Sequence, residues 1–212
     1  MKEAKILQGY EYAREVYGEL GVDVDAAIQK ADNIPVSMHC WQGDDLIGFD
    51  GIGKLTGGIA ATGSYPGRAT TADELRRDIG LALEQIPGKT KLNLHSCYAE
   101  LEGKKVDRDQ YTVEHFSNWL YWAKDKKLGM DFNPTFFSHP RMDGDFSLSS
   151  RGESIRRFWI EHGKRCREIG CEFGKVLGQT CVVNYWMPDG YKDIPADTAT
   201  HRELMTQSLD EI

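Results

Sequence analysis

Residues 91–98 read KLNLHSCY, and the alternation inside this stretch decides the fold. Successive residues of a β-strand point to opposite faces, so Leu92 and Leu94 share one face while Asn93 and His95 share the other. Three more segments rich in apolar and β-forming residues behave alike: PVSMHCW (35–41), GMDFNPTFF (129–137) and TCVVNYWM (180–187). In the first, Ser37, His39 and Trp41 oppose Met38 and Cys40. In the third, Asp131 and Asn133 oppose Met130 and Phe132; in the fourth, Asn184 and Trp186 oppose Val183, Tyr185 and Met187. Each strand therefore offers an apolar face to helices and a polar or aromatic face to something else. Strands of an open, doubly wound sheet are usually apolar on both faces. One-sided polarity therefore favours an α/β fold of the (β/α)8 TIM-barrel type, with a ligand cavity near the strand ends, over the open sheet.

Helix patterns separate the four strands. Within TTADELRRDIGLALEQIPG, Thr71 and Glu74 have capping-box spacing and Leu75, Ile79, Leu83 and Ile86 form an apolar stripe. TVEHFSNWLYWAKDKKLG places Val113, Phe116, Leu120 and Ala123 on one side, with Trp119 and Trp122 beside them. Ser150 and Glu153 repeat the capping signal before a long helix or helix pair through Ile155, Phe158, Trp159 and Ile169 to Gly178, and Thr200 and Glu203 repeat it again in THRELMTQSLDEI. The expected organisation is a helical segment over 1–34, then four alternating β/α units over 35–212, an order that both a doubly wound sheet and half of a (β/α)8 barrel fit. A half barrel with bare edge strands predicts a chain that is marginally stable or pairs with another half.

The chain has 212 residues, 40% of them hydrophobic, which suffices for a sizeable core. A net charge of -7 at pH 7 opposes binding to a phosphate backbone, so no nucleic-acid partner is expected. The first 20 residues, MKEAKILQGYEYAREVYGEL, mix charge through their apolar positions and read as neither signal peptide nor membrane span, which predicts a soluble, cytoplasmic protein with no membrane partner. Five cysteines without a CxxC pair read as reduced thiols.

GFDGIGKL (48–55) has the spacing of a phosphate loop, but Leu55 stands where a metal-binding hydroxyl is required. The glycine-rich stretch from about 42 to 70 reads as a loop over the strand ends, suited to act as a lid. HCWQGDD and HPRMDGDF (139–146) pair His with Asp, yet Asp44, Asp45, Asp143 and Asp145 read as solvated turn formers, and no metal ligand set is assembled. His115, His162 and His201 fall on helices among charged neighbours and read as surface residues. Cys97 and Cys181 read as packing. The better constellation is His39, Trp41, Asn93, His95, Asn133, Asn184 and Trp186, which converge from different strands near their C-terminal ends. Amide and imidazole groups bond hydroxyls and an indole face packs against sugar C–H groups, so this set suits a polyol.

PVSMHCWQGDD, LTGGIAATGSYPG, LNLHSCY followed by DFNPTFFSHP, and NYWMPDGYKD together resemble L-rhamnose isomerase, in order and along the whole chain. The resemblance implies a (β/α)8 barrel, a homotetramer, divalent manganese (Mn2+), and interconversion of L-rhamnose and L-rhamnulose by hydrogen transfer between C1 and C2. It places the metal ligands in later strands, beyond the equivalent of Ile212, so 35–212 is read as the first four β/α units of the barrel, broken off in the fourth, and the chain as an N-terminal half that is inactive alone. It assigns His39, Cys40 and Trp41 to the wall of the sugar site and His95 to bonding hydroxyls or assisting ring opening. Trp41 and Trp186 become the apolar wall beside the C6 methyl group. A non-catalytic sugar-binding or assembly half barrel is the alternative reading.

Overall fold

The computed structural model describes residues 2–41, 43–44, 47–52, 66–190 and 196–212. Most of the glycine-rich stretch read as a lid, the end of the phosphate-loop-like motif and Asp45 lie outside the described residues. Three parallel strands form one sheet in the order β1 (Val36–His39), β2 (Thr90–His95), β3 (Gly129–Asn133). The register pairs Ser37 with Lys91 and His39 with Asn93, then Lys91 with Gly129, Asn93 with Asp131 and His95 with Asn133. Two helices, α1 (Glu3–Glu19) and α2 (Val24–Asp32), precede the sheet, and α3 (Ala72–Leu83) and α4 (Ser117–Asp125) connect its strands. The long α5 (Glu153–Leu177) follows β3, and α6 (Thr198–Glu211) comes last.

The alternation in KLNLHSCY is realised as two different faces. Leu92, Leu94, Met130 and Phe132 are buried with Leu75 and Ile79 of α3, Trp119 and Ala123 of α4, and Ile169 and Phe173 of α5. Burying each such side chain stabilises the fold by roughly 1.5–3 kcal/mol. A second cluster, Phe136, Leu148, Phe158, Trp159 and Ile160, seats Tyr185, Met205 and Ile212 against the first half of α5. By contrast, α1 buries no residue at all.

Helix ends depart from the capping-box readings in instructive ways. At α3, Thr71 does cap Glu74 N at 3.2 Å, but the Glu74 carboxylate reaches one residue further back, accepting from Thr70 N and Thr70 Oγ1, both at 2.8 Å. Ser150 forms no capping box with Glu153: α5 is capped by Gly152, and Ser150 Oγ accepts from Gly152 N at 3.0 Å. α5 then runs unbroken for 25 residues and ends at Gly178, whose φ of +64° is the left-handed conformation that suits glycine. The cap of α6 is Asp197, which accepts from Thr200 N at 3.1 Å, so the helix begins before the residue read as its cap.

The fourth expected strand, 180–187, forms only one parallel bridge, Val183 with Phe132. Phe132 N donates to Val182 O at 2.9 Å and Asn184 N to Phe132 O at 2.8 Å. The ladder goes no further because side chains take its other groups: Asp131 Oδ1 accepts from Val182 N at 2.8 Å and Lys91 Nζ donates to Thr180 O at 2.6 Å. The segment is nonetheless tightly held. A Cβ at Gly170 of α5 would lie 2.5 Å from Val183 Cγ2, so only glycine admits this approach. Among the described residues no helix is long and apolar enough to cross a membrane.

Candidate functional site

The polar face of the sheet is layered by its register. At the N-terminal end Lys91, placed beside Ser37 and Gly129, forms a buried ion pair with Asp131. Above it lie His39, Asn93 and Asp131, and above these His95 and Asn133. The pairing of Lys91 with Asp131 removes that ammonium from water at a site where an unpaired charge would be untenable. The alternation places Lys91 on the face of Asn93 and His95, so parity already carried the signal that the sequence reading left unused.

Aromatic rings close over this face. Trp41 stands between His39 and His95, with ring centroids 5.0 Å from each and a tilt of 32° in both pairs. Trp186 meets Trp41 edge-on at 4.9 Å, and Phe137 lies 5.1 Å from Trp186 and 6.5 Å from His95. The structure thus brings His39, Trp41, His95 and Trp186 together from three separate segments, with Asn93 beside them in the sheet. Asn133 is held differently, its Oδ1 accepting from Thr135 N at 3.0 Å. Asn184 follows the bridge on the polar side but is solvent-exposed.

Five buried polar atoms on this face have no hydrogen-bond partner: Ser37 Oγ, His39 Nδ1, Asn93 Oδ1, His95 Nε2 and Asn133 Nδ2. The great majority of buried polar side-chain atoms are satisfied, and leaving one unpaired costs about 1–3 kcal/mol. Their convergence on one surface marks a place for hydroxyl-bearing matter. Burial pushes the imidazole of His95 down to about 3, with the nearby His39 and Arg108 acting in the same direction, so it is neutral at physiological pH. His39 is also lowered by burial, against the opposing charge of Asp131.

A second network, invisible in the spacing of the sequence, lies under the same strand ends. Asp44 is no solvated turn former: it is 1% exposed, accepts from Tyr98 Oη at 2.5 Å and from Gly48 N at 2.7 Å. Asp50 Oδ2 accepts from Arg108 Nε at 2.9 Å and Tyr111 Oη at 3.1 Å, a wholly buried pair. His162 is likewise buried, not on the surface, with Nδ1 2.9 Å from Arg108 O and Nε2 against Pro134 O. Burial pushes it down to about 4, against the two carbonyls, which favour the charged form. His115 and His201 are half-buried: His115 Nδ1 accepts from Thr112 N at 3.0 Å, and His201 stacks on Phe146 at 4.3 Å. Asp143 and Asp145 do sit in an exposed turn around Gly144, whose φ is +60°. Cys97 is fully buried as a packing residue and Cys181 half-buried.

Among the described residues no three His, Cys, Asp or Glu side chains come together in a way that holds a metal ion. These residues by themselves do not fit a manganese ion.

The fold and site define an α/β protein whose parallel sheet packs helices on one face and gathers histidine, asparagine and tryptophan on the other. Residues 4–212 match the family L-rhamnose isomerase (RhaA). A protein named L-rhamnose isomerase from Rhodopirellula baltica is 49% identical over 212 residues, all of this chain and 49% of its own length. Namesakes from Mannheimia succiniciproducens and Klebsiella pneumoniae are each 50% identical, over 98% and 97% of this chain and 49% of their own. The chain belongs to the L-rhamnose isomerase family. It spans about half the length of these relatives.

Proposed function

We propose that this chain supplies the sugar-holding wall of an aldose-ketose isomerase that interconverts L-rhamnose and L-rhamnulose. The observation that carries the reading is the polar face itself: five unpartnered buried polar atoms beneath two tryptophans, in a member of this family. Asn93 and His39 bond sugar hydroxyls, and Trp41 and Trp186 pack against the C–H face and the C6 methyl group, where an added hydroxyl finds no partner. The Nε2 lone pair of neutral His95 takes the proton of the anomeric hydroxyl and returns it to the ring oxygen as the C1–O5 bond opens, giving the open-chain aldose. Transfer of hydrogen between C1 and C2 then needs groups outside this set. In this proposal the three parallel strands and their helices belong to the first four units of a (β/α)8 barrel, with 1–34 a separate helical segment. Manganese ligands and a tetrameric assembly come from the length of the relatives that this chain does not span.

The test is ketose formation from L-rhamnose, with added Mn2+, by this chain joined to the remaining half of the relatives' length, beside the same assembly carrying His95→Asn. Turnover in the parent, lost by a factor of roughly 10²–10⁴ in the variant, supports the assignment of His95 as a general acid-base. Saturable L-rhamnose binding with no turnover in either marks instead the non-catalytic sugar-binding half barrel. Neither binding nor turnover removes both.

A further inference from the structure

The loop that follows β3, residues 134–138, carries two non-glycine residues in the left-handed region, Thr135 at φ +52° and Ser138 at φ +54°. A β-branched residue seldom adopts that conformation, and it persists only where the surroundings over-determine it. Here they do. Three of the loop's carbonyl oxygens are gripped: Pro134 O accepts from Ser96 Oγ at 2.7 Å and also faces His162 Nε2. Thr135 O and Phe137 O both accept from the Nη1 of Arg108, at 3.0 and 2.6 Å. Arg108 is itself fixed by Asp50 through its Nε, and its own backbone carbonyl faces His162 Nδ1.

What this grip presents to the site is the Thr135 hydroxyl. Thr135 Oγ1 lies 3.3 Å from Asn133 O and 3.4 Å from His95 Nδ1. A carbonyl oxygen can only accept, so the single hydroxyl proton is committed to Asn133 O. The contact with His95 then requires Nδ1 to carry the imidazole proton, which leaves Nε2 as the bare lone pair on the polar face. Phe137, its carbonyl held by the same guanidinium, lies edge-on to the His95 ring at 6.5 Å. We propose that Arg108, anchored by Asp50, is a positioning residue that selects the Nδ1–H tautomer of His95 through Thr135.

The inference rests on the isomerase reading only for its kinetic arm; the tautomer is read without sugar. Nitrogen-15 NMR of the histidine rings is expected to show a protonated Nδ1 and an unprotonated Nε2 for His95 in the parent protein. Thr135→Val keeps the β-branched shape but removes the acceptor, so His95 should shift to a mixture of tautomers or to Nε2–H. Thr135→Ser should restore the parent pattern. Arg108→Lys, which cannot span Asp50 and both carbonyls, should shift the same ring signals. Where the enzyme turns over, Thr135→Val should lower kcat by roughly ten- to a hundredfold with KM little changed, the signature of misplacement instead of lost binding. If Arg108→Lys does not fold, the threonine pair still tests the link from Thr135 to the tautomer; if it folds with unchanged His95 signals, the role of Arg108 is overturned. A parent protein with His95 protonated at Nε2, or a Thr135→Val variant with an unchanged tautomer, overturns the proposal. The expected ring signals in a chain that makes no ketose even when joined to the remaining half uphold the positioning role and remove the isomerase reading alone.

Discussion

Leu94 and His95 are neighbours in β2, and neither is exposed to solvent, yet they live under opposite rules. Leu94 sits in the main hydrophobic core, on the face where Leu92, Met130 and Phe132 meet three helices. His95 lies on the other face with Nε2 unpartnered, beside four more unpartnered atoms of Ser37, His39, Asn93 and Asn133. One face lowers the free energy of folding by burying apolar area. The other gives some of that stability back, at about 1–3 kcal/mol for each unpaired group. A surface that is costly in the free fold and rich in oriented donors and acceptors is the expected mark of a binding face, where stability is sacrificed for function.

The largest effect should come from the apolar face. Phe132 is 0% exposed and lies 5.1 Å from Phe116 and 5.4 Å from Phe173 in edge-to-face contacts. Phe132→Ala should destabilise the fold by about 3–5 kcal/mol in urea unfolding. A loss below about 1 kcal/mol would mean that this face is not the structural one.

Acid should expose a smaller effect drawn from both sides of the sheet. His95 on the polar face is lowered to about 3 and His162 on α5 to about 4, both by burial. Their unfolded forms titrate near 6.5, so between that value and the folded pKa the unfolded chain binds the extra protons. Stability from this source is therefore complete above about pH 6.5 and falls as the pH drops towards 4 and then 3. Each histidine should cost roughly 2 kcal/mol between pH 6.5 and 5, and His95→Gln should remove its share of that slope. Unfolding curves at pH 7 and pH 5 that superimpose would contradict the burial of both rings.

Much of this contrast is written in local alternation, which is why the two faces, the α3 stripe and the cluster of His39, Trp41, His95 and Trp186 were legible. Period 3.6 also carried a message about His162, which stands four residues after Phe158 and four before Cys166, both buried, but its charged neighbours masked it. The buried aspartates were illegible for a physical reason. Asp44 and Asp50 are buried with Tyr98 and Arg108, 54 and 58 residues away, among their partners, and local sequence holds no trace of those pairings. Ser150 misled because a serine three residues before a glutamate serves equally well to close its own loop, here by donating to Asp143 Oδ2 at 2.9 Å. The fourth strand fell short of its β-rich sequence because Asp131 and Lys91 bind its backbone in place of a neighbouring strand.

In this proposal the polar face holds the sugar. The most direct measurement is an L-rhamnose titration followed through the indole N–H signals of the five tryptophans. Trp41 and Trp186 should shift saturably, while Trp119 and Trp159, buried against helices at 0% exposure, and Trp122, 6.3 Å from Trp119, stay in place. Shifts confined to the three helix-borne tryptophans, or no saturable shift of Trp41 and Trp186, would contradict it.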